Sequence, residues 1–184
     1  DLLQDEGRLV VAPDLPGHAV VDPPTDPDGD ASFEADVWSH APDEPFDVIG
    51  FSLGARTLLW LASEHPGRIR RLVVAGVGAN LFRHDDTSDA EEMPDQIAHH
   101  FSELARSSGT DPRAVVALVN RPSPPLTLDR LGSIDAEVLV VLGDADFAGP
   151  ADPLMAALPG ARLVTLRGVD HFATPKSMKF LDAA

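Results

Sequence analysis

The chain has 184 residues, 43% of them hydrophobic, which suits one domain with a sizeable core, and it carries a formal net charge of -16. A surface that acidic repels nucleic acid, anionic membranes and acidic carrier proteins, so none of these is an expected partner, and the lack of Cys rules out a disulfide framework and thiol chemistry. No apolar run approaches the roughly 18 residues of a membrane span and no signal peptide opens the chain, so the expected location is the cytoplasm.

Taken in chain order, Asp22 to Asp30 holds Pro23, Pro24, Pro27 and Gly29, which excludes helix and central strand and predicts a loop. Ser32 to His40 is a short amphipathic helix in which Phe33, Val37 and Trp38 are placed to pack on a sheet. The apolar strand from Asp47 then runs into Gly50-Phe51-Ser52-Leu53-Gly54, a G-x-S-x-G sequence. Where such a pattern joins a strand to a helix, the turn is sharp enough to strain the Ser backbone and lift its hydroxyl clear of the sheet. That tightness predicts that only Gly fits two positions before and two after Ser52, and it aims the Leu53 amide at any oxyanion beside the hydroxyl. Leu53 to His65 is helix-compatible and is stopped by Pro66-Gly67.

A second apolar strand, Leu72 to Ala75, follows at once, so strand, helix and strand alternate as a parallel sheet requires. The next connection is far longer than usual. Within it Ile97, Phe101, Leu104 and Ala105 recur at helical spacing, and Ala114 to Val119 forms a second helical patch. This predicts a small helical cap inserted at about residues 79–131 of a single 184-residue domain, with Asp85 to Glu92 as a solvated acidic loop. Strand Glu137 to Leu142 ends in Gly143-Asp144-Ala145-Asp146, and strand Ala161 to Leu166 runs into Arg167-Gly168-Val169-Asp170-His171-Phe172. A serine nucleophile needs a base and a carboxylate to orient that base, and both are delivered here to the carboxyl edge of the sheet. Asp144 and Asp146 both stand as the acid on alternation alone, since two residues apart on a strand share a face.

Together the segment Leu9 to His18, the elbow at Ser52, the G-D-x-D stretch and the G-x-D-H-F loop resemble, in order, the landmarks of the α/β-hydrolase-fold family. The resemblance implies a mostly parallel sheet flanked by helices, with Leu9 to Ala12 as the family's fourth strand. It also implies Ser52 as nucleophile, Asp146 as acid, His171 as base and the Leu53 amide in the oxyanion hole. The family's earlier strands precede the fourth, and the third lies between the fourth and fifth. Their lack in these 184 residues predicts a central gap in the sheet and a fragment that is poorly folded or nearly inactive on its own.

Of the remaining polar residues, Asp170 reads as a loop-capping carboxylate and His18 as part of its turn. His84, His99 and His100 lack a matching ligand pattern and read as solvated cap residues. The implied chemistry is hydrolysis of a small or medium uncharged ester, a small-molecule substrate, through an acyl-enzyme, needing no metal or organic cofactor. Alternative readings are a C–C hydrolase or lyase on the same fold, with Arg56 as a carboxylate binder or an exposed helix Arg, a slow-turnover ligand receptor, and an inactive fragment. A haloalkane dehalogenase is disfavoured because its elbow nucleophile is Asp.

Overall fold

Four apolar runs separated by helical stretches form one parallel sheet, in the strand order β1-β2-β3-β4. The computed structural model describes residues 4, 7–13, 33–85, 99, 102–103, 105–106 and 123–183. In chain order these include α1 (Phe33–Ser39), β1 (Phe46–Phe51), α2 (Leu53–Glu64), β2 (Ile69–Ala75) and α3 (Leu128–Gly132). They continue through β3 (Glu137–Gly143), α4 (Asp152–Ala157), β4 (Arg162–Leu166) and α5 (Met178–Ala183).

The two inner strands explain why the sheet holds. From Leu72 to Ala75 and from Val138 to Gly143 every residue is buried, as expected for strands covered on both faces. On one face Val73, Ala75, Leu139, Val141 and Leu166 pack with Phe180 of α5. Elsewhere Leu142 packs with Ala148, Ala151 and Met155 of α4, and α2 lies against β1 and β2. Pairing of Phe51 with Ala75, Ala75 with Val141 and Gly143 with Leu166 brings the carboxyl ends of the strands to one edge. The loops that leave this edge carry Ser52, Asp146 and His171.

The chain divides into two compact units, Asp1–Ala41 with Glu91–Pro122 and Pro42–Ala90 with Ser123–Ala184. The second holds the whole sheet. In the first, α1 falls one residue inside each end of the expected helix, and His99, Ser102, Glu103, Ala105 and Arg106 are helical. Asp22 to Asp30, the acidic run after Asp85, Ile97, Phe101, Leu104 and Ala114 to Val119 lie outside the described residues.

One expectation is corrected here. Leu9 to Ala12, expected as a strand, joins no ladder, and Leu9 stands 95% exposed. A strand exists through its neighbour's hydrogen bonds, and this segment has none of ladder type. Among the described residues β1 pairs only with β2, and Ile49 on it is 42% exposed. No helix among the described residues is long and apolar enough to cross a membrane.

Candidate active site

The turn after β1 is where backbone strain concentrates. Ser52 has φ 52 and ψ -114, and among the described residues it alone has a positive φ without being glycine. Its amide donates to Ala75 O at 2.8 Å, which pins the turn to β2, and its carbonyl accepts from Arg56 N at 3.0 Å to start α2. As the N-cap of α2, a Ser normally spends its hydroxyl on a helix amide, yet here the side chain makes no cap bond. The oxygen is left for other chemistry.

The two flanking glycines differ. A Cβ on Gly50 would lie 2.8 Å from Ala55 N and from the carbonyl carbon and oxygen of Gly54, so the helix crosses too close for any side chain. A Cβ on Gly54 would meet nothing within 4 Å, and its φ lies outside the left-handed region, which overturns the expectation that Gly is required there. The close approach is borne by Gly50 alone.

Beyond β3 the chain folds into a tight turn in which Asp146 N donates to Gly143 O at 3.2 Å and Ala148 N donates to Asp146 Oδ1 at 2.8 Å. This turn points the Asp146 carboxylate inward. Asp144 points elsewhere and accepts from Gly168 N at 2.6 Å, because the strand ends at Gly143 and its alternation does not carry into the turn. After β4, Asp170 Oδ1 accepts from Ala173 N at 2.8 Å, the capping role its place in the loop suggests. The same loop brings His171 inward to 1% exposure.

These three loops bring Ser52, His171 and Asp146 together. His171 Nδ1 lies 3.0 and 3.1 Å from the two Asp146 oxygens, and Nε2 lies 3.0 Å from Ser52 Oγ. An ionised carboxylate only accepts, so Nδ1 carries the hydrogen and Nε2 is left to accept from the Ser52 hydroxyl. Leu53 opens α2 beside this chain of bonds, where the first amides of a helix lack partners within it.

Sequence reasoning missed two glycines and an aromatic cluster. A Cβ on Gly76 would come 2.5 Å from Phe51 Cε2 and 3.1 Å from His171 Cε1, and φ +67 suits Gly there. A Cβ on Gly143 would come 2.0 Å from Val169 O, so the loop carrying Asp146 and the loop carrying His171 touch backbone to backbone. The available signal was that Val-Val-Ala-Gly and Val-Val-Leu-Gly put a Gly just after β2 and at the end of β3, at the edge where the loops gather. The imidazole itself is packed by Phe51, Phe147 and Phe172, with ring centroids 4.7, 4.2 and 5.4 Å away.

Other candidates fall away from this site. His99 is exposed and 3.5 Å from Glu103, while His18, His100 and the side chain of His84 lie outside the described residues. Arg56, expected on an exposed face, is half-buried and donates to Pro124 O at 3.1 Å. Among the described residues no group of three His, Asp or Glu side chains is arranged to hold a metal. A cavity of about 460 Å³ lined by Leu142, Asp144, Asp146, Pro150, Leu163 and Thr165 includes neither Ser52 nor His171.

Known proteins resemble the chain at two levels. A pimeloyl-[acyl-carrier protein] methyl ester esterase of Neisseria meningitidis serogroup A is 27% identical over 195 residues, covering 88% of this chain and 62% of the relative. The chain thus spans less than two thirds of that relative's length. A 2-hydroxymuconate semialdehyde hydrolase of Pseudomonas sp. is 36% identical over 93 residues, 46% of this chain and 31% of that protein. Among solved structures, a bromoperoxidase from Bacillus anthracis shares the fold with a TM-score of 0.67 at 15% identity, over 92% of this chain and 77% of its own. The model of the alpha/beta hydrolase fold family matches residues 1–118, and the chain belongs to that family.

Proposed function

We propose that the protein is a serine hydrolase that cleaves a small or medium, uncharged ester through an acyl-enzyme, with Ser52, His171 and Asp146 as its triad. The observation that carries this reading is the continuous relay from Ser52 Oγ to His171 Nε2 at 3.0 Å and from His171 Nδ1 to Asp146 at 3.0 Å, built on a strained elbow. In this mechanism His171 takes the Ser52 proton as the oxygen attacks the carbonyl. Asp146 holds the imidazole tautomer and balances the imidazolium, and the Leu53 amide donates to the oxyanion. His171 then returns the proton to the leaving alcohol, and water, activated by the same imidazole, releases the acid.

The Neisseria relative's name includes an acyl-carrier substrate, but a net charge of -16 works against an acidic carrier, and a free small ester fits this chain better. The test is hydrolysis of short p-nitrophenyl esters by the full-length protein and by Ser52→Ala. Activity that survives in the Ala variant sinks the assignment. The similarity to a 2-hydroxymuconate semialdehyde hydrolase favours C–C bond hydrolysis as the second reading. Turnover of a carboxylated enol substrate without turnover of simple esters would select it. The bond from Arg56 to the Pro124 carbonyl gives that guanidinium a structural use and weighs toward the ester reading.

A further inference from the structure

Phe147 stands out among the rings around His171. It is 38% exposed, whereas the imidazole it covers is 1% exposed, and their centroids are 4.2 Å apart with the planes 36° from parallel. Phe51 has a separate use, packed against the sheet core, and Phe172 meets the imidazole edge-on at 83°. Phe147 has no such place among the buried core residues.

The position is set by the turn that aims the acid. Asp146 N donates to Gly143 O, Gly149 N donates to Asp146 O, both at 3.2 Å, and Ala148 N donates to the Asp146 carboxylate. The residue between Asp146 and Ala148 is therefore fixed on the same scaffold as the carboxylate, and its ring lies against the His171 imidazole while the carboxylate accepts from Nδ1. We propose that Phe147 is a positioning residue for His171, holding the ring on its line to Ser52 and favouring the imidazolium through its π-face. This rests on the triad reading above.

The physical reason is differential. A neutral imidazole gains only stacking from an aromatic neighbour, whereas a cation within about 6 Å of a ring centroid gains attraction from the ring quadrupole. His171 becomes cationic only as it takes the Ser52 proton, so the extra attraction appears in the transition state and raises turnover without changing substrate binding.

The test uses the full-length protein and a fluorophosphonate. In that reaction Ser52 Oγ forms a bond to phosphorus as the P–F bond breaks, fluoride leaves, and the Ser proton passes to His171 Nε2. Phe147→Leu, which keeps bulk but has no π-face, is expected to slow labelling about five- to tenfold, the range that a buried cation against a partly exposed ring supplies. It is also expected to lower kcat for a p-nitrophenyl ester by a similar factor with KM within about twofold. Phe147→Tyr, which restores the ring, is expected to return both rates to within about twofold of wild type. The proposal is overturned if the Leu variant reacts at the wild-type rate, if the Tyr variant is as slow as the Leu variant, or if KM alone changes. If the unaltered protein is not labelled, or Ser52→Ala is labelled equally, the triad reading itself fails and this proposal falls with it.

Discussion

Replacing Gly143 by Ala separates the contribution of loop geometry from that of the reacting groups. The added Cβ would sit 2.0 Å from Val169 O, whereas an ordinary carbon–oxygen contact is about 3.4 Å, so the base loop must retreat by about 1.4 Å. Val169 O also accepts from Ala145 N at 3.3 Å, and that bond is lost in the retreat. Overpacking costs about 1–3 kcal/mol and the lost bond about 1 kcal/mol more, so unfolding should come about 5–15 °C lower for a protein of this size. Val169 lies two residues before His171, and a displacement of about 1 Å in a catalytic group costs roughly a hundredfold in rate. The assays are a thermal melt and kcat on p-nitrophenyl butyrate, with Gly54→Ala as the control. That control adds a helix-favouring residue in open space, and should leave kcat within about twofold while stabilising by about 1 kcal/mol. A Gly143→Ala protein with wild-type kcat and melting temperature would refute the contact and the reasoning built on it.

Ser52→Gly should abolish hydrolysis yet stabilise the fold by about 1 kcal/mol, because Gly adopts φ 52 without the strain a Cβ imposes; a chemical denaturation curve reads the difference. Asp146→Asn should lower kcat by about 10⁴-fold through the wrong tautomer and the unbalanced imidazolium. Asp144→Asn, whose position bonds Gly168 N, should stay within about threefold in the same kinetic assay. Burial holds His65 below its usual value of 6.5, against a smaller opposing pull from Glu64. The unfolded state then binds more protons between the lowered value and 6.5, so this group's contribution to stability is lost as pH falls through that window. Urea midpoints taken from neutral pH down through that window should therefore drop more steeply for wild type than for His65→Gln.

Much of this was legible because short-range chemistry dictated it. The elbow, the strands ending at the acid and base loops, and the stop at Pro66-Gly67, where Gly67 has φ +76, are set by neighbours in the chain. What was illegible depends on distant partners. Gly143 is constrained by Val169 and Gly76 by His171, contacts that no local pattern contains. Phe147 gave no periodic signal because it sits in a turn. The segment Leu9 to Ala12 is expected as a strand through its resemblance to the family's fourth strand, and it has no strand conformation, because a strand needs a ladder partner. The alternation rule misled at Asp144 for a simpler reason, since the strand stops one residue earlier.

The most direct test of the triad is mass spectrometry of the full-length protein quenched in acid during turnover of a p-nitrophenyl ester. One acyl group attached to the peptide containing Ser52, lost in Ser52→Ala and strongly reduced in His171→Ala, is the predicted result. Rapid hydrolysis with no adduct on that peptide in any quench, or with the acyl group on another residue, would contradict the account.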